Sequence, residues 1–579
     1  MSADADRQEP GLGALPYLPR LAPPPTPPAP PAPAHIPAAA RPPGPPPAAL
    51  GTDRQPAYPA HPVPQGAFEA FLREAAARDA VAPPSWKQQQ HRRSGRGALV
   101  TLLVVALLAA GGVVLARSGL LHKGPSAPPH PKEWDARVVQ LVTFVEQTRG
   151  LKFDHPIFTD FLPEADFVRL FDVPADTKSD PEAQQANVDA GALLNARGEA
   201  VGYDPQQGGS AVSATTTLGF YSPDQDRLVV RGEALTPAVR TTLAHELTHA
   251  LQAQHFDITL GEDNDMEVRS VIEADAMRVE DVYLATLPAA DQAAVKSEHT
   301  VDADQETVMN SVPPVVIQTM YAPYELGPVL IEKVFAAEGN PGIDRLIEHP
   351  PTELTLMEPA QYSAAGPDAT LAVTVPEGAM VLEPSQRFSA FQFLVMLDAW
   401  LPWDMARGAI DGWTGGGYAS YRSKEGQVCF VAAASYSTDT TKASTALLWW
   451  SGAARSTAVA TTSGNTVTFT ACDRGAAAPT PAAPVMDTIT ELLYEHYFIE
   501  HSIQRQRDAG NVASADSLRP MEVCRVRGLL SQDSTIPLLM LDTLTPEQTA
   551  AMQQVLLQSS SMCPVPATPP PAFGTPVTP

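Results

Sequence analysis

The chain has 579 residues, 60 of them proline, 44% of them hydrophobic, and a formal net charge of −26. The length allows two or three folded units, and so much proline is not expected of a single globular domain. The acidic excess argues against a nucleic-acid partner, because phosphate binding needs an excess of Lys and Arg.

The composition of residues 1–96 predicts that they form a disordered, proline-rich cytoplasmic arm. Proline lacks an N–H donor and fixes φ, which favours an extended, polyproline-like chain. This stretch carries ten Lys/Arg against seven Asp/Glu, so the remaining residues carry −29. The PxxP runs of the arm could bind a cytoplasmic partner, although a spacer without a partner is the simpler interpretation.

Residues 97–116 are twenty consecutive residues without a charge, which is the length that crosses a hydrocarbon core. Four basic residues lie shortly before this segment and two shortly after it. The positive-inside rule then places the N-terminus in the cytoplasm and the residues after the segment outside. The sequence therefore predicts a single-pass protein of the plasma membrane, anchored by a transmembrane helix and followed by a linker at 117–133.

The rest of the chain predicts an α+β fold: a catalytic domain at 134–370, a smaller α/β unit at 371–475, a disulfide-tied helical region at 485–563 and a disordered tail at 564–579. Hydrophobic periodicity predicts helices at 134–147, 237–254, 265–285, 388–401 and 486–507. Strand-like stretches lie at 219–232, 418–421, 427–434 and 466–471.

All four cysteines lie on the predicted outer side of the membrane. An even count in an oxidising compartment predicts two disulfides, and four cysteines allow three pairings. We favour Cys429–Cys472 and Cys524–Cys563, because each pair lies within one predicted unit.

The residues that indicate a catalytic metal site are His245, Glu246 and His249, in the pattern HExxH. Thr236 and Pro237 provide a capping hydroxyl and a proline at the first helical position, so the motif lies inside a helix. Two histidines four residues apart project from one face and can bind one Zn²⁺. Glu246 is adjacent, where it can act as the general base on a water molecule.

The third metal ligand decides the class of site, and the sequence offers two candidates. Glu273 lies on the next predicted helix, 24 residues after His249, and would complete a two-His, one-Glu site. His255 lies where the metzincin pattern HExxHxxGxxH has its third histidine, but Gln252 replaces the glycine that turns the chain. A continuing helix would point His255 away from the metal, and we therefore favour Glu273.

The motifs at 245–256 (HELTHALQAQHF), 271–276 (VIEADA) and 323–327 (PYELG) resemble the gluzincins, which are zinc peptidases of the HExxH…Glu type. They are more closely similar to bacterial membrane-anchored proteins of unassigned substrate that contain HELTHALQxQHF. The resemblance covers about residues 134–365 and implies a zincin-like domain with His245, His249 and Glu273 as zinc ligands and Glu246 as catalytic base. Met277 stands where many gluzincins have an aspartate that orients a ligand histidine, which leaves Asp275 or another residue for that role.

These residues fit hydrolysis of polypeptide by a zinc-activated water. Tyr283 and Tyr324 are candidates to stabilise the oxyanion, although packing is the simpler role for both. The strand at 228–231 could bind an extended substrate by β-addition. Two alternatives stay open: a cell-envelope amidase with the same site, and a surface binding or assembly protein with a structural zinc site.

Overall fold

A computed structural model of the chain describes residues 130–172, 178, 180–256, 266–298, 303–361, 368–482, 486–508, 515–532, 535–539 and a few isolated positions up to 563. The predicted arm at 1–96 and the predicted tail at 564–579 lie outside these residues. The described residues form an α+β fold with two mixed sheets.

The predicted transmembrane helix is corrected by the structure. Among the described residues, no helix combines the length and the apolar character needed to cross a membrane. Even the 25-residue helix at Pro314–Glu338 carries the charged residues Glu325, Glu332 and Lys333. The predicted segment, 97–116, itself lies outside the described residues. The plasma-membrane localisation and single-pass topology were inferred from that helix, and they are corrected with it.

The first sheet has three strands, with β1 (Phe158–Leu162) parallel to β3 (Arg227–Arg231) and β2 (Gly219–Ser222) antiparallel to β3. The order is β1-β3-β2, so β3 lies in the centre. Alternate residues of these strands enter two separate hydrophobic clusters. The sheet is therefore covered on both faces, which explains why β2 and most of β3 are buried.

Helices surround this sheet and continue beyond it. In chain order they are α1 (Val139–Arg149), α2 (Glu164–Arg169), α3 (Pro181–Ala196), α4 (Pro205–Thr216), α5 (Pro237–His255), α6 (Met266–Thr286), α7 (Ala289–Glu298), α8 (Ala303–Asn310), α9 (Pro314–Glu338), α10 (Asn340–Glu348) and α11 (Glu353–Met357). The predicted helices at 237–254 and 265–285 are confirmed as α5 and α6.

A six-stranded sheet forms the second part of the fold. Its strands are β4 (Ala369–Thr370), β5 (Met380–Arg387), β6 (Trp413–Arg422), β7 (Val428–Tyr436), β8 (Val459–Ser463) and β9 (Thr466–Cys472), in the order β4-β6-β7-β9-β8 with β5 also paired to β6. The accompanying helices are α12 (Ala390–Asp398), α13 (Trp403–Gly408), α14 (Thr441–Ala453), α15 (Thr488–Asp508), α16 (Ala515–Leu530) and α17 (Ile536–Leu539). The three strands predicted in this region are confirmed, and each is longer than predicted.

Both predicted disulfides are present. Cys429 and Cys472 are bonded across the neighbouring strands β7 and β9, where they are direct partners in the register. Cys524, on α16, is bonded to Cys563.

One large hydrophobic cluster joins the three regions that the sequence suggested as separate units. It contains Tyr324 from α9, Phe393 from α12, Trp450 from α14 and Leu492 from α15. These regions therefore share a core, and the boundaries at 370 and 475 stay a prediction.

Candidate metal centre

Helix α5 places His245, Glu246 and His249 together in the interior. The hydroxyl of Thr236 accepts the N–H of Val239 at 3.2 Å and so caps the helix at its start. Pro237 follows at the first helical position, as its fixed φ and missing N–H favour. The two histidines lie one turn apart, and their Nε2 atoms are 2.9 Å from each other.

Helix α6 brings Glu273 to the same point. Its Oε2 lies 3.3 Å from Nε2 of His245 and 3.2 Å from Nε2 of His249. All three side chains are buried. Of the two candidates for the third ligand, the structure therefore places Glu273 against the histidines.

His255 lies away from this point. It is the last residue of α5, it is exposed, and its Nε2 lies 2.6 Å from the carbonyl oxygen of Lys152. Helix α5 continues straight through Gln252, so the turn that a metzincin site requires is not made.

The three atoms fit a tetrahedral metal ion. Ligands bound to zinc at 2.0–2.1 Å in a tetrahedral site are roughly 3.3 Å apart. The separations here are 2.9, 3.2 and 3.3 Å, close to that value. The group of His245, His249 and Glu273 can therefore hold a metal ion.

The orientation of the His249 ring is fixed by the amide of Gln252. The Gln252 Nε2 donates to the carbonyl of Ile272 at 3.1 Å and to Asp275 at 2.9 Å, so its Oε1 must face His249. That oxygen lies 3.0 Å from Nδ1 of His249 and can only accept a hydrogen. Nδ1 of His249 therefore carries a hydrogen, and Nε2 is the nitrogen that faces His245 and Glu273.

Glu280 orients the ring of His245 in the same way as Gln252 orients that of His249. Its Oε2 lies 3.2 Å from Nδ1, so that this nitrogen carries the hydrogen and Nε2 faces the centre. Burial acts to lower the pKa of His245, but hydrogen bonds with Glu273 and Glu280 outweigh it and raise that pKa to about 10. The imidazole thus lies in a strongly negative environment, which also favours a cation between the ligands.

Asp275 is connected to the centre through Gln252. Its carboxylate accepts a hydrogen bond from the Gln252 amide, and that amide in turn contacts His249. The Asp275 carboxylate also pairs with Arg149 of α1 at 2.7 Å and with Arg278 at 3.0 Å. The side chains of Arg149 and Asp275 are fully buried. The sequence left open which residue replaces the missing gluzincin aspartate at position 277. In the structure, Glu280 contacts Nδ1 of His245 and Gln252 contacts Nδ1 of His249.

Tyr324 contacts Glu273, the third member of the group. Its hydroxyl donates to Oε1 of Glu273 at 2.8 Å, which leaves Oε2 for the centre. Gly327, one turn further along α9, allows this approach, because a Cβ there would lie 2.2 Å from the carbonyl oxygen of Ser270 on α6. The other candidate tyrosine, Tyr283, packs edge-on against Phe144 and lies outside this contact network.

Glu246 is held by the edge strand β2. Its Oε2 accepts the backbone N–H of Tyr221 at 2.9 Å, and Oε1 takes part in no hydrogen bond among the described residues. Burial raises the pKa of Glu246, and the neighbouring histidines reduce that rise without cancelling it. A buried carboxylate, with one oxygen that has no hydrogen-bond partner among the described residues, therefore lies next to the group that can hold a metal ion.

The predicted role of residues 228–231 in binding substrate is wrong. This stretch belongs to β3, and both of its edges are already paired, with β1 and with β2. An additional strand can join a sheet only at a free edge.

Sequence reasoning missed three residues of this arrangement: Gln252, Glu280 and Tyr221. Gln252 is three residues after His249, and Glu280 is two helical turns after Glu273, so their helical spacing was a usable signal. Nothing in the sequence indicates that a backbone N–H of Tyr221 meets Glu246. Comparisons with protein-family models, curated proteins and solved structures find no match to this chain.

Proposed function

We propose that this protein is a zinc-dependent metallopeptidase of the gluzincin type, with His245, His249 and Glu273 as ligands and Glu246 as general base. The observation that carries the proposal is the convergence of two imidazole nitrogens and one carboxylate oxygen beside a buried carboxylate with a free oxygen. A zinc site that is only structural needs no such base. Glu246 therefore favours an enzyme over a binding or assembly protein.

A zinc ion bound there would supply Lewis-acid activation of a water molecule and of the substrate carbonyl. Glu246 would accept a proton from that water at Oε1 while the Tyr221 N–H holds Oε2 in place. Because burial raises its pKa, Glu246 is a stronger base than an exposed glutamate. The same carboxyl would then give the proton to the leaving amine.

The hydrogen bonds behind the ligands support the same proposal. Glu280, Gln252 and Tyr324 each occupy the atom of a ligand that does not face the centre. Metal-binding histidines are typically oriented in this way. The two disulfides favour an oxidising, extracytoplasmic compartment, in which peptide substrates would be encountered.

The test is digestion of a peptide library by the full chain and by the Glu246→Gln variant in parallel. The glutamine oxygen can still accept the Tyr221 N–H, so we expect the variant to fold and to retain zinc. It should lose hydrolysis by a factor of about 10²–10⁴, as loss of a general base does. His255→Ala is the matched control and should cleave like the wild type.

Undiminished hydrolysis by Glu246→Gln contradicts the mechanism. Cleavage by neither protein, with zinc bound to both, favours a binding protein. Release of amino groups from envelope amides but not from peptides favours the amidase.

A further inference from the structure

A second group of metal-binding side chains lies at the tip of the β2–β3 hairpin. His130 precedes α1, His155 follows α1, and Asp226 lies in the turn between the strands. Nδ1 of His130 is 2.7 Å from Oδ2 of Asp226, and Nδ1 of His155 is 3.4 Å from the same oxygen. Three separate parts of the chain thus bring two imidazole nitrogens near one carboxylate oxygen, while Nδ1 of His155 also lies 3.2 Å from the carbonyl oxygen of Pro156.

Asp226 is fixed in an uncommon conformation. Its φ is 45°, in the left-handed region that few residues other than glycine adopt. Its backbone carbonyl accepts the N–H of Phe158 at 3.2 Å, and its Oδ1 accepts the hydroxyl of Tyr221 at 3.0 Å. The remaining oxygen, Oδ2, is therefore held toward the two imidazoles.

His155 is attached to the helix that carries the first centre. The side chain of Gln254 accepts the N–H of Asp154 at 2.8 Å and donates to the carbonyl of His155 at 3.1 Å. The loop after α1 is thereby held to the end of α5. Two of the three groups, His155 and Asp226, have backbones fixed by neighbouring elements.

The two imidazole rings are stacked, with centroids 3.4 Å apart. If both rings were protonated, two like charges would face each other across that distance, with only one carboxylate near both of them. A divalent cation instead accepts a lone pair from both rings and from the carboxylate. The three donor atoms all lie within 4.8 Å of one another. The ring planes differ by only 21°, so their in-plane lone pairs run nearly parallel, and the exposed His130 ring would have to turn for both nitrogens to bind one ion.

We infer that His130, His155 and Asp226 form a second, solvent-accessible site for a transition-metal ion such as Zn²⁺. Two imidazoles and a carboxylate suit zinc, copper and nickel better than calcium or magnesium. The His130 and His155 side chains are 42% and 29% exposed, whereas the first centre is buried. The second site therefore exchanges its ion with solvent more readily and binds it more weakly.

Tyr221 connects the two sites. Its hydroxyl donates to Asp226, and its backbone N–H donates to Glu246. A cation on Asp226 changes the charge at one end of this residue, while the other end positions the catalytic base. Because this effect depends on the proposed function, metal binding itself is the primary measurement.

The experiment is a zinc titration of the full chain by equilibrium dialysis, with excess calcium present to occupy sites made only of carboxylates. We expect two equivalents in the wild type, one tight and one weaker. His130→Ala and Asp226→Asn should each weaken the second equivalent at least about 100-fold, the upper range for loss of a group behind a ligand. Asparagine tolerates the left-handed conformation and can still accept the Tyr221 hydroxyl.

His255→Ala is the control for an exposed histidine and should keep both equivalents. His245→Ala should lose the tight equivalent and keep the weaker one, which separates this inference from the proposed function. A single equivalent in the wild type overturns the inference. So does a second equivalent that persists in both His130→Ala and Asp226→Asn, or one that His255→Ala also loses.

If the second equivalent behaves as expected, hydrolysis by the wild type should change as it binds. Hydrolysis by His130→Ala should not change over the same range of free zinc. Equal responses of the two proteins would leave the site in place but remove its connection to the catalytic base.

Discussion

Glu280 should determine how tightly the buried centre holds zinc, although it lies outside the ligand set. Its Oε2 lies 3.2 Å from Nδ1 of His245, and its Oε1 is buried without a hydrogen-bond partner among the described residues. The hydrogen bond of this carboxylate is thus made with His245. Removal of the carboxylate leaves Nδ1 without its acceptor and reduces the negative charge that favours a cation.

The size of the effect follows from what each substitution keeps. In Glu280→Gln the amide oxygen can still accept from Nδ1, but the charge is lost, and we expect zinc affinity to fall roughly 10-fold, or about 1.4 kcal/mol. In Glu280→Ala both the charge and the acceptor are lost, and the expected fall is about 100-fold, or about 2.7 kcal/mol. The order of the two variants matters as much as the magnitudes.

Competition with a chelator of known affinity measures the dissociation constant of the tight equivalent. Asp281→Asn removes the same charge one residue further along α6 and is the matched control. Thermal unfolding of the metal-free proteins checks that each variant folds. If the zinc affinity of Glu280→Ala stays within a factor of about two of the wild-type affinity, the role of Glu280 is refuted. A group that orients a metal ligand is expected to contribute at least about tenfold to the affinity.

Two further predictions concern the choice of the third ligand and the partly buried acid Glu325. Glu273→Ala should weaken tight zinc binding at least about 100-fold, whereas His255→Ala should leave it unchanged. The reverse result in the same competition assay would identify His255 as the third ligand, as in a metzincin. Burial and the charge of Asp487 raise the pKa of Glu325 from 4.5 to about 7. Its contribution to stability is therefore complete below pH 4.5 and is lost as pH rises through 7, by roughly 3 kcal/mol at pH 8. Relative to wild type, the unfolding temperature of Glu325→Gln should rise between pH 5 and 8, and a pH-independent difference contradicts this.

Local sequence signals predicted the parts of the fold that depend on neighbours in the chain. Thr236 and Pro237 gave the start of α5, and the HExxH spacing placed His245 and His249 on one face. The cysteine pairs were predicted from their positions within units. The strands β5 and β8 were not predicted, because β8 is exposed on every residue and β5 has two register shifts, so neither shows a regular alternation.

The contacts that the sequence did not predict join residues far apart in the chain. The position of Tyr221 against Glu246 depends on a sheet whose strand β1 pairs with β3 across almost 70 residues. Arg149 reaches Asp275 from a helix that precedes the sheet altogether. Neither contact has a motif, because each depends only on how distant elements pack. The same reason explains why a β-addition role was given to β3 rather than to an edge strand.

The charges around the buried centre give an independent reason for a divalent cation. Glu246, Glu273 and Glu280 are all buried near the two histidines, while Asp275 is paired with Arg149 and Arg278. With neutral imidazoles, the first three carboxylates leave three uncompensated negative charges in the interior, which is strongly unfavourable. A divalent cation compensates two of these charges and leaves one. In the metal-free protein a proton on His245, whose pKa is raised to about 10, supplies part of the same compensation. Zinc would therefore replace a proton that the buried carboxylates already attract, and the same arrangement would retain the metal and support the proposed role of Glu246 as a base.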